Sequence, residues 1–145
     1  EAAQETIHLS VLLDHEIFYL DKVETHRSIV CNTRVGSRVP AYATGCGKIL
    51  LAGQSPAYID QYCQWMAEAA RPLTAHTITD PDQLCQALAL EGLSCVAAPI
   101  YDMNQRVAAA VSISGPTYRM EEDWEMMIRE VCQTAANISR LLGHR

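Results

Sequence analysis

The segment that most constrains the fold is residues 34–52, RVGSRVPAYATGCGKILLA, in which a polar, turn-forming stretch changes into an apolar helical run. Thr44, Gly45, Cys46 and Gly47 lie at the change. The first backbone N–H groups of a helix that begins here have no partners inside the helix, and the positive end of the helix dipole lies behind them. Such a helix end attracts anions, and small residues let a ligand approach the backbone. The segment therefore predicts an anion-binding corner at Gly45 and Cys46.

Composition limits the class of protein around this corner. The chain has 145 residues, of which 49% are hydrophobic and 19% charged, and this suits one folded domain rather than a disordered segment. Its net charge of -6 does not favour DNA binding by this segment itself. The apolar runs are too short to span a bilayer and no signal-peptide pattern is present, so we expect a cytoplasmic protein without membrane attachment. Because the sequence begins with Glu1, we expect it to be part of a longer protein.

The cysteine pattern argues against a metal site and against a disulfide framework. The six cysteines are widely and irregularly spaced, at positions 31, 46, 63, 85, 95 and 132. No CxxC or CxxH pair is present, so a structural zinc site is not expected. Several cysteines fall within apolar segments, and buried reduced thiols are the favoured interpretation. We predict neither a metal nor a cofactor.

The first part of the chain predicts three strands. Apolar and polar residues alternate over Ile7–Leu13, which indicates a half-buried strand, and Ile17–Val23 follows as the second strand of a hairpin. Residues Ile29–Thr33 predict a third short strand. An irregular loop over residues 34–40 then leads to the corner. In this interpretation His8 lies on a strand face and has no chemical role.

Cap residues predict the helices. Gly53 ends the helix that begins at the corner, and Ser55-Pro56 starts a second helix that runs to about Met66. Asp80-Pro81 starts a third helix in the same way. The amphipathic pattern over Glu121–Leu142 predicts a long final helix.

Leu93–Ile100 and Val107–Ser114 predict two strands joined by a turn at Met103-Asn104. This turn pairs Cys95 with Ser112, and paired residues share one face of a sheet. One face then consists of small and mildly polar residues: Cys95, Ala97, Ala108, Ala110, Ser112 and Ser114. The opposite face is aliphatic: Val96, Ala98, Ile100, Val107, Ala109 and Val111. The order of elements predicts an α+β domain in which helices pack on an antiparallel sheet.

The small polar face allows several interpretations. It can pack under a helix, or it can line a pocket for a small carboxylate or keto/hydroxy oxygen together with the corner. An enzyme is an alternative, with Cys46 as a thiol nucleophile and a base such as His76. A metal sensor that uses Cys46, Cys95 and His76 is less favoured. A further alternative is a ligand-free oligomerisation module whose interface is the long final helix.

Seven segments of this chain are similar to the effector-binding domain of IclR-type bacterial transcription regulators. The similarity covers nearly the whole chain. The segments are ETIHL (5–9), YLDKVE (19–24), RVGSRVP (34–40), ATGCGKILLA (43–52), TITDP (77–81), GLSCVAAPI (92–100) and AVSISGP (110–116).

The resemblance implies a GAF/profilin-like sensor domain that binds a small organic acid and is not an enzyme. Members of the family usually form dimers or tetramers, and a separate N-terminal winged helix-turn-helix domain, which residues 1–145 do not include, binds operator DNA. The resemblance places the effector's carboxylate on two backbone N–H groups and three side chains, with two further residues lining the pocket. These are Gly45 and Cys46 (backbone), Cys95, Ser112 and Ser114 (side chains), and Cys31 and Val39 (lining).

The chain departs from the family between Leu88 and Gly92. Family members have an additional strand with acidic residues there, which supplies an acidic ligand contact in some members, whereas residues 89–92 pass directly across. Either the protein lacks this segment, or the sequence omits it; the second is favoured because loss of a strand would leave the sheet edge and the pocket open. Cys46 is a second departure, since an apolar residue is common at its position.

Overall fold

The computed structural model describes residues 5–25, 33–75, 77–84, 95–115, 120 and 123–144. Within these ranges the strands are β1 (Thr6–Leu13), β2 (Glu16–Val23), β3 (Arg38–Pro40), β4 (Cys95–Tyr101) and β5 (Val107–Ser114). The helices are α1 (Gly45–Ala52), α2 (Pro56–Ala69) and α3 (Trp124–Leu141), and a 3₁₀ turn at Ala41–Ala43 precedes α1. No helix in the described ranges is long and apolar enough to cross a membrane.

The five strands form one antiparallel sheet in the order β3-β2-β1-β5-β4. The predicted α+β class is therefore confirmed. The predicted strand over Ile29–Thr33 lies outside the described residues, except for Thr33, which is not in a strand. The third strand of the structure is instead Arg38–Pro40, within the segment for which a loop was predicted.

The helices begin where the sequence predicts. Ser55 caps α2 with Pro56 in the first helical position, and Gly53 follows the end of α1. The structure adds a cap that was not predicted, Thr44 at the start of α1. α2 extends to Ala69, one turn beyond the predicted end. Asp80 Oδ1 accepts a hydrogen bond of 2.9 Å from Gln83 N at the start of the helical residues 81–84, and the rest of that predicted helix lies outside the described residues.

The β4–β5 register differs from the predicted one by two residues. Cys95 pairs with Ser114 and Ala97 with Ser112, whereas the sequence predicted Cys95 opposite Ser112. One residue of the shift comes from the loop, which has three residues between the paired Asp102 and Arg106 instead of the predicted two-residue turn. Gln105 is the additional loop residue and has a positive φ of 63°. The other comes from a bulge at Ala108, where the register shifts between Ile100 and Tyr101.

Two shifts of one residue restore the side-chain alternation, so the predicted faces survive beyond the bulge. Cys95, Ala97, Ser112 and Ser114 do share one face. Val107 does not behave as predicted: it lies before the bulge and packs with the core beneath α1, rather than with the aliphatic face.

The sheet separates two hydrophobic cores. On one side, α1 and α2 cover the strands, with the buried core residues Ile17, Tyr19, Ala41, Tyr42, Cys46, Leu50, Leu51, Tyr62, Met66, Leu84 and Ala110. On the other side, α3 packs on β4 and β5, with the buried core residues Val96, Ala98, Ile100, Val111, Ile113, Met120, Met127, Val131 and Ala135. The mildly polar face of the sheet is thus the face under α1.

Candidate functional site

The N-terminus of α1 has the geometry that the sequence predicts. Thr44 is extended (φ -132°, ψ 151°), and its hydroxyl accepts a hydrogen bond of 3.0 Å from the backbone N–H of Gly47. This satisfies one of the amide groups that the first turn leaves without partners. The Thr44 side chain bonds neither the Gly45 nor the Cys46 backbone N–H, of which the second contacts the Cys46 sulfur, and both groups lie at the positive end of the helix dipole.

The polar side chains of β4 and β5 meet this helix end. Cys46 Sγ lies 2.9 Å from Ser112 Oγ, to which the thiol donates. Ser114 Oγ donates to Cys95 Sγ at 3.4 Å. Four of the predicted site residues, Cys46, Cys95, Ser112 and Ser114, therefore form one side-chain cluster that joins α1 to the sheet.

Contacts within the cluster alter the acidity of both thiols. A hydrogen bond from Cys95, helped by the hydroxyls of Ser112 and Ser10, lowers the pKa of Cys46 from 9.0 to about 7, against the opposing effect of burial. The same contact with Cys46, together with burial, raises the pKa of Cys95 well above its usual value. When the pair loses a proton, the negative charge is therefore carried by Cys46 rather than by Cys95.

Strand β1 contributes three polar residues that the sequence analysis did not assign to the site. Its pairing with β5 places Thr6 opposite Ser114, His8 opposite Ser112 and Ser10 opposite Ala110. All three are almost fully buried. The hydroxyls of Thr6 and Ser10 make no hydrogen bond of good geometry within the described part of the chain, although Ser10 lies close enough to affect the Cys46 thiol.

These residues could have been found from the sequence. In β1 the polar residues Thr6, His8 and Ser10 alternate strictly with apolar ones, and this pattern was assigned to a half-buried strand. The missing information was which strand pairs with β1. Antiparallel pairing with β5 aligns the two polar faces, and the sequence does not show this pairing directly.

Lys22 places a positive charge beside the cluster. It pairs with His8 across β1 and β2, its side chain is only 6% exposed, and its Nζ contacts Thr33 O and Glu24 Oε1, each at 2.9 Å. His8 Nε2 lies 2.7 Å from Thr33 Oγ1. Burial, with a smaller contribution from the Lys22 ammonium, lowers the pKa of His8 from 6.5 to about 4. His8 is therefore neutral near pH 7, and Lys22 provides the local charge.

The remaining predicted residues are placed only in part. Val39 lies on β3 opposite Ile17 and packs against the core under α1 and α2. Cys31 and His76 lie outside the described residues, as does the segment 85–94 in which the family has additional sequence. Within the described ranges, no three His, Cys, Asp or Glu side chains are grouped so as to hold a metal ion.

The cluster is closed in this structure. Cys46 is 4% exposed and Ser112 is fully buried, so their polar atoms satisfy one another rather than facing an open cavity. A groove of about 440 Å³ lies elsewhere, between β4 and α3, and its lining includes Tyr101, Cys132 and His144. This groove is on the opposite side of the sheet from the predicted site. A ligand at the corner would have to replace the hydrogen bond between Cys46 and Ser112.

Comparison with known proteins supports the resemblance in sequence. Residues 1–140 match the family described as bacterial transcriptional regulator IclR C-terminal. The chain is 33% identical to the HTH-type transcriptional regulator KdgR of Dickeya chrysanthemi, over 97% of this chain and 50% of that protein. That alignment covers 156 positions, more than the 145 residues of this chain, so KdgR has residues that have no counterpart here.

Solved structures agree with this. The crystal structure of the transcriptional regulator YaiJ superposes with a TM-score of 0.85 at 30% identity, over 98% of this chain and 87% of that one. An IclR homologue from Microbacterium hydrocarbonoxydans, solved in complex with 4-hydroxybenzoate, superposes with a TM-score of 0.78 at 25% identity, over 97% of this chain and 62% of that one. The chain spans about half the length of the curated relative that it matches. It belongs to the IclR family of bacterial transcription regulators and corresponds to the C-terminal domain of that family.

Proposed function

We propose that this domain senses a small organic acid, such as a keto acid or sugar acid, for a cytoplasmic DNA-binding regulator. The observation that carries the proposal is the convergence of the α1 N-terminus with buried hydroxyls from two strands. A carboxylate at Gly45 and Cys46 would accept hydrogen bonds from their backbone N–H groups. The hydroxyls of Ser112 and Ser114 would donate hydrogen bonds to the other oxygens of the ligand.

Three further observations favour an anion at this position. Among the described residues, the buried hydroxyls of Thr6 and Ser10 have no hydrogen-bond partner, and a ligand or water at the corner would satisfy them. The Lys22 ammonium beside His8 has little exposure to solvent and is paired with the exposed carboxylate of Glu24. The homologue from Microbacterium hydrocarbonoxydans was solved with 4-hydroxybenzoate, which is itself a small carboxylate.

The closed cluster suggests how binding becomes a signal. In the structure the Cys46 thiol donates to Ser112, so α1 is hydrogen-bonded to β5. A carboxylate that replaces this bond would favour a different spacing between α1 and the sheet. Ligand would then shift the population between two arrangements of the domain, and through subunit assembly as a dimer or tetramer it would change how separate DNA-binding domains meet an operator.

The proposed role is that of a regulator, not of an enzyme. The relatives that the chain matches are named as transcriptional regulators. His76, the base of the alternative enzyme hypothesis, lies outside the described residues.

A thermal-shift screen of organic acids tests the proposal. An effector at one hundred times its dissociation constant stabilises the folded state by about 2.7 kcal/mol, which is readily measured. The double variant Ser112→Ala, Ser114→Ala should lose most of the shift. Ser139→Ala is the matched control: this serine is also buried but lies on the α3 side, where it bonds Tyr101 N and Ala135 O. It should lower stability yet keep the ligand-induced shift.

The amide or ester of any acid that binds gives a second control, since it lacks the charge that the helix end attracts. If no acid stabilises the chain, or if the double serine variant responds as the unmodified chain does, the corner is not the effector site.

A further inference from the structure

Cys46 and Cys95 form a pair of thiols at the meeting point of α1 and β4. They come from distant parts of the sequence and meet at neighbouring serines of β5: Cys46 Sγ lies 2.9 Å from Ser112 Oγ, and Cys95 pairs with Ser114, the next residue on the same face. Both are free thiols in the structure. Cys46 is buried, while Cys95 remains partly exposed.

The surroundings of this pair differ from those of a thiol that merely fills a core. Ser112 Oγ lies 2.9 Å from Cys46 Sγ, and Ser114 Oγ donates to Cys95 Sγ at 3.4 Å. The hydroxyl of Ser10 lies close to Cys46 from the neighbouring strand. Hydroxyl and thiol donors around a sulfur atom stabilise its thiolate, which is the form that reacts with oxidants.

We propose that Cys46 and Cys95 form a reversible disulfide when the protein meets a hydroperoxide. In the first step Cys46 sulfur attacks one peroxide oxygen, the O–O bond breaks, and the leaving oxygen takes a proton, giving Cys46 sulfenic acid and water or an alcohol. In the second step Cys95 sulfur attacks the sulfenic sulfur, the S–OH bond breaks, and the hydroxyl leaves as water with the Cys95 proton. The two thiols together lose two electrons and two protons, which reduce the peroxide.

The structure assigns different roles to the two thiols. The lowered pKa of Cys46 favours this thiol as the one that attacks first, and Cys95, whose sulfur accepts a hydrogen bond from Ser114, completes the disulfide in the second step. A dithiol reductant reverses the bond by thiol–disulfide exchange. The inference depends on the proximity of these two side chains and does not require an effector. Its test is therefore independent of the test of the proposed function.

The test uses a chain in which the other four cysteines, Cys31, Cys63, Cys85 and Cys132, are replaced by serine. After a stoichiometric dose of hydrogen peroxide and alkylation of free thiols, intact-mass measurement should show the loss of two hydrogens and no alkyl groups. Dithiothreitol should restore two alkylatable thiols. Adding Cys46→Ser should abolish the hydrogen loss. Adding Cys95→Ser should leave a sulfenic acid on Cys46, which dimedone traps.

The unmodified chain gives a second measurement in case the four-serine background does not fold. Trypsin leaves Cys46 as the only cysteine of peptide 39–48, and further cleavage after Glu91 by the protease Glu-C leaves Cys95 as the only cysteine of peptide 92–106, so the disulfide partner can be identified by mass. Linkage to the peptide segment that contains Cys95 supports the inference. It is overturned if Cys46 remains alkylatable after peroxide treatment, or if its bond is to any other cysteine.

Discussion

Gly47 packs against the backbone of Ala41 so closely that a Cβ atom at Gly47 would lie 2.1 Å from the Ala41 carbonyl oxygen. From the sequence alone, the small residues at this corner are expected to let a ligand approach the backbone. The structure gives Gly47 a different task, because it lets the 3₁₀ turn at Ala41–Ala43 lie directly against the first turn of α1. The orientation of the helix end depends on this contact.

Gly47→Ala should therefore destabilise the domain, even though alanine is the better helix former by about 0.5–1 kcal/mol. The added methyl group meets backbone atoms, which cannot move aside as a side chain can, and overpacking of this kind costs about 1–3 kcal/mol. Urea unfolding followed by circular dichroism measures the change. Ala52→Gly, at the exposed end of the same helix, is the control and should cost only the difference in helix propensity. Equal or greater stability of Gly47→Ala would contradict the packing argument.

The hydroxyl of Thr44 should contribute measurably to stability. It accepts the Gly47 N–H at 3.0 Å, so Thr44→Ala leaves that amide without its partner. The expected loss is about 1 kcal/mol, and Thr44→Ser should recover most of it because serine keeps the hydroxyl. Both are measured as changes in the free energy of unfolding. If the serine variant is as unstable as the alanine variant, the methyl group rather than the cap is responsible.

Tyr62 anchors the segment that precedes the corner. Its hydroxyl accepts a hydrogen bond of 3.0 Å from the backbone N–H of Tyr42. The same hydroxyl donates a hydrogen bond of 3.3 Å to the backbone carbonyl of His15. Tyr62→Phe would leave a buried backbone N–H unsatisfied, at a cost of about 1–3 kcal/mol. Tyr58→Phe is the matched control because its hydroxyl bonds Asp14 O at an exposed position. Chemical denaturation should show a clearly larger loss for Tyr62→Phe than for Tyr58→Phe.

His8 should make the domain less stable in mild acid. Its pKa is about 4 in the folded chain and 6.5 without the fold, so between these values the unfolded state binds more protons. The free energy of unfolding therefore falls as the pH drops from about 6.5 towards 4. In His8→Gln this contribution is absent, so its unfolding free energy should change less over the same range. Denaturation curves at several pH values give both slopes, and equal slopes would show that His8 does not titrate as described.

Local chemistry was well predicted where one residue type determines the backbone. Ser55 and Asp80 mark helix starts because their side chains cap amides, and Gly53 follows the end of α1 for a similar local reason. The faces of β4 and β5 were also predicted correctly beyond the bulge, because side-chain alternation depends on neighbouring residues alone.

The rest depended on relationships that sequence expresses weakly. The predicted β4–β5 register was wrong in part because Gln105 has a positive φ, which a glutamine in the sequence does not indicate. β3 is three residues long and ends in Pro40, so it resembled a loop. Thr6, His8 and Ser10 were not assigned to the site because the pairing of β1 with β5 is a long-range contact.

The sheet that separates the two cores has a consequence for how such a domain can diverge. Each strand sends alternate side chains to opposite sides, so the polar cluster under α1 and the aliphatic core under α3 share a backbone but few side-chain contacts. Substitutions on the two sides should act almost independently of each other. If the proposed effector site is correct, substitutions at positions such as Cys46 can change the preferred ligand while the packing of α3 stays constant, so domains with the same fold can bind different acids.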